Sequence, residues 1–199
     1  MVTTRLAIFP TAFMLALLGL VPALGSAQHS GLHWLANEGQ WDVPARMRAE
    51  WAGGVTWLED DGMNIWVAGE GYDALWSHHF EGDPAPTGEL QSHGWRVTWE
   101  ECAPFVNHEV MSQANHRVNL YKGQDPTRWV EGLVPETRFK LREVWPGIDL
   151  RIGPRSPQDR QQVPGPGWKE DWIVHPGADV STIKIRHDGV DLTLRKDGS

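Results

Sequence analysis

The chain has 199 residues and a formal net charge of −8 at pH 7. This acidity argues against binding to nucleic acid, because phosphates favour a basic protein face, and its simplest role is solubility. The single cysteine, Cys102, cannot form an internal disulfide, so the fold has to be stabilised by its core. Cys102 has no basic neighbour in sequence, which favours a buried or tolerated thiol over a nucleophile.

The first 27 residues are typical of a secretory signal peptide. Arg5 precedes the apolar run Leu6–Leu24, and Gly25 and Ala27 are the small residues expected before a cleavage site. The alternative is a retained membrane anchor, since the run is close to spanning length. Pro22 and the lack of a following basic cluster favour cleavage, and this predicts that the signal forms a helix and is removed.

Cleavage would leave residues 28–199 as one β-rich domain, which is long enough for a core of its own. The signal peptide predicts a secreted protein, located in the extracellular space, at the cell surface or in the periplasm. No membrane segment is expected beyond the signal. Twelve tryptophans follow it, and most are expected in the core.

The first predicted strand is Ala45–Trp51, where apolar and charged residues alternate with period two although several favour helices. A hairpin follows, with Val55 and Trp57 on one strand, a turn at Glu59–Gly62, and Met63–Val67 on the return strand. The acidic turn could hold calcium. We expect its carboxylates in water without a ligand, because calcium needs more oxygens at wider spacing.

Polar, Pro- and Gly-rich segments separate the later strands. Residues 77–93 and 153–167 are predicted loops, and residues 102–116 are predicted to be irregular. The further predicted strands are Trp95–Glu100, Arg117–Tyr121, Arg138–Val144, Ile148–Ile152, Glu170–His175, Thr182–His187 and Val190–Arg195. The last two flank Asp188–Gly189, which is typical of a hairpin turn.

Many short strands with frequent turns predict an all-β domain, an antiparallel sandwich or a barrel-like sheet. The sequence ends at what looks like another hairpin turn, which would leave a sheet edge exposed. We therefore expect either a truncated chain or the head of a larger protein.

Five motifs follow one another in a particular order. They are NEGQW (Asn37–Trp41), VTWLEDDGMNIWV (Val55–Val67), NLYKGQDPTRW (Asn119–Trp129), VWPGIDLRI (Val144–Ile152) and EDWIVHPGADVSTIKI (Glu170–Ile185). In this order they resemble the N-terminal domain of unknown function (DUF7948-like) of large secreted bacterial proteins. Those proteins carry SBBP-type propeller repeats or gliding-motility and type IX secretion sorting domains. The resemblance covers residues 37–195.

This chain departs from the typical members at several positions. Leu120 and Trp145 stand where those members have tyrosine, and LRI stands where they have LYY. The propeller and sorting regions are absent from the sequence, so the resemblance leaves the route of secretion and the surface anchoring open.

The resemblance implies a non-enzymatic structural or interaction module of an extracellular protein. Its partner would be an extracellular protein or a polysaccharide, with adhesion or gliding suggested by architecture only. It implies no cofactor and no catalytic residue. The motif residues expected to have structural roles are Asn37, Gly39, Trp41, Asn119, Gly123, Asp125, Trp129, Pro146, Gly147, Asp149, Pro176, Gly177 and Asp179.

The turn chemistry of these motifs is specific. In PGID and PGAD, proline fixes φ, glycine permits positive φ, and Asp149 or Asp179 can cap backbone N–H groups. Asp125 before Pro126 predicts a capped single helical turn, with Trp129 packing that turn onto the sheet. A minor hypothesis is that the three aspartates meet in a cation site.

Two other functions remain open from the residues alone. A carbohydrate-binding module would use exposed tryptophans as stacking platforms, and the candidates are Trp76, Trp95 and Trp168. A hydrolase is less favoured, because no G-x-S-x-G or Cys–His signature occurs. HEVMS, from His108 to Ser112, begins like a zincin motif but has serine where the second histidine is required, and no metal site is expected.

Overall fold

The computed structural model describes residues 33–51, 53–69, 91–104, 108–121, 123–156 and 167–193. Within them the chain is mostly β-strand and forms a curled antiparallel sheet, which confirms the predicted all-β class. The predicted signal peptide and its helix, over residues 1–27, lie outside the described residues. No helix in these ranges is long and apolar enough to cross a membrane.

The strands of the described residues are β1 (His33–Ala36), β2 (Met47–Trp51), β3 (Gly54–Glu59), β4 (Gly62–Ala68), β5 (Ser92–Trp99), β6 (His108–Gln113), β7 (Val118–Leu120), β8 (Val130–Leu133), β9 (Glu136–Trp145), β10 (Ile148–Pro154), β11 (Trp168–Val174) and β12 (Ile185–Asp188). Two single turns of 3-10 helix are η1 (Pro126–Arg128) and η2 (Val180–Thr182).

Ten of these strands form one sheet. Its order is β11-β10-β9-β1-β2-β3-β4-β5-β12, and β6 pairs with β9 off this path. The predicted hairpin is β3–β4, in which Glu59 pairs with Gly62 across the turn. Strands β7 and β8 form a separate two-stranded sheet.

The core lies on the inner face of the curled sheet. Trp34 of β1 packs edge-on against Phe139 of β9 and against Trp168 of β11, with ring centroids 5.6 and 5.9 Å apart. Trp99 of β5 packs in the same way on Trp172 of β11, at 5.9 Å. The two contacts with β11 join strands that are not neighbours in the sheet, so the sheet curls until β11 faces β1 and β5.

A second aromatic cluster covers the outer face of β2 and β3. Arg48 lies over the rings of both Trp41 and Trp57, 5.5 and 5.0 Å from their centroids. Burial lowers the pKa of the Arg48 guanidinium, although the charge and hydrogen bond of Glu50 oppose this. Trp41 of the NEGQW motif therefore packs on the outer face of the sheet.

Two expectations about the later elements are wrong. The region 102–116 was expected to be irregular but contains β6. Because β6 is an edge strand with almost all of its side chains exposed, its sequence lacks the alternation of apolar and polar residues that marks a half-buried strand. Residues 190–193 are not a strand, so Asp188–Gly189 does not start a hairpin there. Gly189 has φ +93 and lies close over Gly94 and Trp95 of β5, where a Cβ would be 3.0 Å from the Gly94 oxygen.

Several strand boundaries also differ from the predicted ones; β5, for example, begins at Ser92, inside the predicted loop 77–93. Strand β10 continues through Pro154, into the start of the predicted loop, because Gly153 and Pro154 pair with Lys169 and Trp168. Strand β12 begins only at Ile185, since the preceding residues form η2.

Candidate functional site

The NLYKGQDPTRW motif forms a small ribbon outside the main sheet. We call β7, the following loop, η1 and β8 the aromatic ribbon. Asp125 is the N-cap of η1 and accepts a hydrogen bond from Thr127 N at 3.0 Å, which is the predicted cap. Gly123 has φ +68, and Asn119 Oδ1 accepts from Gly132 N at 2.8 Å. The polar residues of the motif thus shape the turn.

The aromatic ribbon presents two rings to solvent. Trp129 is 42% exposed and Tyr121 is 56% exposed. Their rings pack edge-to-face at 5.6 Å and 82°. The Trp129 indole donates to Gly123 O at 3.2 Å, and the Tyr121 hydroxyl donates to Glu131 at 2.7 Å. The expectation that Trp129 packs the turn onto the main sheet is wrong, since it packs on Tyr121 within its own ribbon.

Replacing Asp125 with alanine should loosen η1 without unfolding the domain. Side-chain and backbone hydrogen bonds from Thr127 lower the pKa of Asp125, so the cap is made by the carboxylate. Amide exchange at Thr127 should become faster, and Trp129 fluorescence should shift, while the melting temperature stays within error. A large fall in melting temperature would show that the ribbon supports the main sheet.

The PGID and PGAD motifs meet in one corner. Gly147 has φ +72, and a Cβ placed there would lie 2.8 Å from Ala178 Cβ of the second motif. His175 N donates to Gly147 O at 2.9 Å, and Ala178 N donates to His175 O at 3.0 Å. Pro146 and Pro176 precede the two glycines, and Gly177 has φ +90. The glycines have the positive φ expected from the sequence, but the contact between the motifs was not expected.

Asp149 is the buried polar group of this corner, with only 3% of its surface exposed. Its carboxylate accepts from Glu143 N at 2.9 Å and contacts His175 Nε2 at 3.1 Å and Lys140 Nζ at 3.8 Å. Glu143 has φ +54, which is uncommon for a residue other than glycine. Asp149 therefore holds an irregular point of β9, where the β9–β10 register shifts.

Burial and hydrogen bonding act in opposite directions on Asp149. Burial alone would raise the pKa of its carboxyl, but the Glu143 N–H, the His175 hydrogen bond and charge, and the charge of Lys140 together lower it. The group is therefore a carboxylate that stabilises the corner.

The three motif aspartates do not share a cation. Asp125 and Asp179 each cap a 3-10 turn, the latter accepting from Ser181 N at 2.9 Å, while Asp149 contacts Glu143, His175 and Lys140. Within the ranges that the structure describes, no group of three or more His, Cys, Asp or Glu side chains could hold a metal ion. The cation hypothesis is therefore wrong for these residues.

NEGQW forms a loop organised by its side-chain amides. Asn37 Nδ2 donates to Ala45 O at 2.9 Å, and its Oδ1 accepts from Gly39 N at 3.1 Å. Gln40, which is buried, donates to Ala36 O at 2.6 Å. Gly39 has φ +104. These bonds join β1 to the start of β2 and place Trp41 on the outer face.

Asp60 and Asp61 of the acidic β3–β4 turn are exposed to water, as expected, and the turn is also held by ion pairs. Arg96 bridges Glu59 and Asp61 at 2.6 Å each, and Arg46 pairs with Asp60 at 2.7 Å. The nearby Cys102 contacts Asp60 O at 4.0 Å. Burial, followed by the charges of Asp61 and Asp60, raises the pKa of the Cys102 thiol, which favours the unreactive protonated form.

HEVMS is strand β6 in the structure, so it lacks the helix that a zincin motif requires. His108 Nε2 lies 2.7 Å from the carboxylate of the buried Glu136 on β9. This side-chain pair links the edge strand β6 to β9, the strand with which it pairs.

The three tryptophans considered for sugar stacking have different surroundings. Trp168 is only 6% exposed and belongs to the core, so the expectation of an exposed ring is wrong there. Trp95 is half-buried, packs against the core and stacks on His93 at 6.0 Å. Trp76 lies outside the described residues. The exposed aromatic pair is instead Tyr121 and Trp129.

Sequence reasoning missed one residue with unusual surroundings, Glu170. It lies on β11 between Trp168 and Trp172, on the face that packs against the core. Its carboxyl accepts a hydrogen bond from Trp168 Nε1 at 3.3 Å. Burial raises the pKa of Glu170, and that hydrogen bond only partly opposes the rise. The sequence pattern that could have indicated Glu170 is an acidic residue with one tryptophan two positions before it and another two positions after it.

Glu170 should make stability fall as pH rises. Because its pKa is raised in the folded state, the folded protein binds more protons than the unfolded chain between the ordinary and the raised pKa. The contribution of Glu170 to stability should be greatest below the ordinary pKa of glutamate. It should then decrease by at most about 1.4 kcal/mol per pH unit until the raised pKa is passed. In urea unfolding from pH 4 to 9, the stability of the wild type relative to Glu170→Gln should show this decrease.

Comparison with known proteins identifies a family for this chain. Searches of curated proteins and of solved structures return no significant match. A family model described as "Domain of unknown function (DUF7948)" matches residues 34–199, which include all five motifs. The chain, with its curled antiparallel sheet and its joined PGID and PGAD turns, therefore belongs to this family of domains of unknown function.

Proposed function

We propose that this domain is a non-enzymatic interaction module of a secreted or cell-surface protein, and that the aromatic ribbon is its contact surface. The observation that carries the proposal is the pair Tyr121 and Trp129, two large rings held open to solvent on a ribbon that pairs with no strand of the main sheet. Exposed aromatic side chains with fixed polar ends are typical of protein contact sites.

The hydrogen bonds of the ribbon support this proposal. Both polar ends, the indole N–H and the phenol hydroxyl, are already bonded within the ribbon. The rings are thus ordered before a partner arrives, which reduces the entropy lost on binding. The other described motif residues have structural bonds in turns and caps, which favours a structural or binding role over catalysis.

Export from the cytoplasm is part of the same proposal. It rests on the apolar segment Leu6–Leu24 and on the small residues before Gln28. Expression of the full chain in a Gram-negative host should yield a product outside the cytoplasm whose N-terminal residue is Gln28. A cytoplasmic product that keeps Met1 would contradict export. It would not contradict the aromatic ribbon as a contact surface, which the next experiment tests separately.

The contact surface is tested with the double variant Tyr121→Ser/Trp129→Ser. Labelled wild-type protein should bind to intact cells of the organism that encodes it, and the double variant should bind at least tenfold more weakly with an unchanged melting temperature. Val180→Ser, at another exposed apolar residue, is the matched control and should bind as the wild type does. Equal binding by the double variant would contradict the ribbon as the contact surface.

A carbohydrate partner is the second candidate, because aromatic rings also stack on sugars. The perpendicular packing of Tyr121 and Trp129 favours a protein partner, since a sugar platform is usually a set of coplanar rings. Treating the cells with protease before binding should abolish binding to a protein partner. Displacement by soluble oligosaccharides with no effect of protease would instead support the carbohydrate module.

A further inference from the structure

We propose that the free edge of β6, the side of this strand that faces away from β9, binds an extended segment of a partner protein. The segment adds to the sheet as one more strand. This rests on the proposed function, because the aromatic ribbon continues the hairpin that β6 and β9 form, and it specifies how the chain of the partner binds.

Strand β6 has a neighbour on one side only. It pairs with β9, which has β1 and β10 along its other side. Successive N–H and C=O groups of a strand point alternately to its two sides, so about half of those in β6 point away from β9. Among the described residues, no backbone hydrogen bond joins Glu109–Gln113 to a strand other than β9. The free edge therefore offers donors and acceptors at the spacing of an extended chain.

The side chains along the free edge are open to solvent and partly apolar. Val110 is 45% exposed and Met111 is 44% exposed. Adjacent side chains of a regular strand point to opposite faces, but the register with β9 shifts between Val110 and Ser112, and such a bulge re-aims side chains. Two adjacent apolar side chains are thus available to an added strand.

The strands at the two ends of the main sheet are protected in a way that β6 is not. Charged side chains on an edge strand discourage pairing with another chain. The acidic and basic residues of β11 and β12, apart from histidine, are Lys169, Glu170, Asp171, Arg186 and Asp188. Strand β6 has no lysine or arginine and one acidic residue, Glu109, whose charge is offset by Lys140 and Arg142 of β9. Of these three edges, that of β6 has the least to discourage an added strand.

The free edge leads to the aromatic ribbon. Beyond β6, Ala114 N donates to Pro135 O at 2.8 Å, and Val118 of β7 then pairs with Leu133 of β8. Strands β6 and β7 are therefore one side of a long hairpin, and the exposed rings of the aromatic ribbon lie at its outer end. A chain that pairs with β6 is directed along this hairpin towards those rings.

A separate protein fits this surface better than a second copy of the domain. Two copies paired antiparallel through β6 would point their aromatic ribbons in opposite directions. Each copy would then contribute the six residues of β6, whereas a stable interface has roughly 20–30 residues on each side. A separate chain can contact β6 and the aromatic ribbon together.

The free edge is tested first by binding to intact cells, with the double variant Val110→Lys/Met111→Lys. Both side chains are exposed, so the melting temperature should not change, whereas lysine on the edge should oppose an added strand. Binding should be at least tenfold weaker than that of the wild type. Met111→Lys alone should weaken binding in the same direction and serves if the double variant does not fold.

Val174→Lys/Ile185→Lys is the matched control. It adds the same charge at exposed apolar residues of the other two edge strands, β11 and β12, and should bind as the wild type does. Equal binding by the wild type and Val110→Lys/Met111→Lys would overturn the free edge as a binding site. Loss of binding in Tyr121→Ser/Trp129→Ser would then still support the aromatic ribbon, so the two proposals fail separately.

A second measurement requires no natural partner. Linear peptides selected from a random library on the wild type should include some that do not bind Val110→Lys/Met111→Lys. In such a peptide, N-methylation of every second amide should abolish binding in one of the two alternating patterns and not in the other, because only one set of amides faces β6. The absence of such peptides, or equal effects of the two patterns, would overturn strand addition.

Sedimentation of the wild type distinguishes a partner from a second copy. The wild type should be monomeric at the concentrations used for binding. A dimer that dissociates in Val110→Lys/Met111→Lys would overturn the separate partner and assign the free edge to self-association.

Discussion

Replacing Asp149 with alanine is expected to lower the free energy of unfolding by roughly 2–4 kcal/mol. The change leaves Glu143 N without its acceptor at a point of β9 where φ is +54, and it leaves Lys140 and His175 without their shared carboxylate. Urea unfolding at pH 7 measures the loss. A change below about 0.5 kcal/mol, the usual range for surface substitutions, would show that the corner does not depend on this carboxylate.

Asp149→Asn is the matched control, because it keeps an oxygen to accept from Glu143 N and removes only the charge. It should lose less stability than Asp149→Ala. The pKa of Asp149 is lowered in the folded state, so its contribution to stability is present above the ordinary pKa of aspartate and is lost as pH falls through the folded pKa. The wild type should lose this contribution in acid, and Asp149→Asn should not.

Gly62→Ala should reduce stability by more than about 3 kcal/mol or prevent folding, because overpacking against backbone cannot relax easily. A Cβ at Gly62 would lie 2.0 Å from the carbonyl oxygen of Val97 on β5. Because that contact is with the backbone, β4 and β5 would have to separate at the Gly62–Thr98 pair. Thermal and urea unfolding both report the loss.

Gly39→Ala separates this clash from the effect of backbone conformation. Gly39 also has a positive φ, +104, but a Cβ there meets nothing within 4 Å. Its replacement should cost about 1–2 kcal/mol, from backbone strain alone. Equal losses for the two variants would show that the β4–β5 pair adjusts, and that the conformation of Gly62 matters more than its close approach to Val97.

Local features of the chain were predictable from the sequence. The alternation in β2, β9 and β10 follows from the period-two geometry of a strand with one buried face. The caps at Asp125 and Asp179, and the positive φ of Gly147 and Gly177, depend on atoms only a few residues apart. Strand β6 was missed because an exposed edge strand has little apolar alternation to show.

The candidate sites depended on contacts between distant parts of the chain. Asp149 and His175 are 26 residues apart in sequence, and they meet only because β10 and β11 pair in register. Trp168 and Trp172, which lie on either side of Glu170 on β11, meet tryptophans of β2 and β5 because the sheet curls. The same curling buries Trp168, whereas Trp129 stays exposed because its ribbon pairs with no strand of the main sheet.

The all-β class, most of the strands and the chemistry of the turns could thus be predicted from the sequence, and the order of the motifs indicated the family. These depend on backbone preferences and side-chain periodicity, which act over a few residues. Tertiary contacts were needed to show that the PGID and PGAD turns form one corner, that the Glu170 carboxyl accepts from the buried Trp168 indole, and that Tyr121 and Trp129 are open to solvent. Those arrangements depend on strand register and sheet curvature, which side chains far apart in the chain determine together.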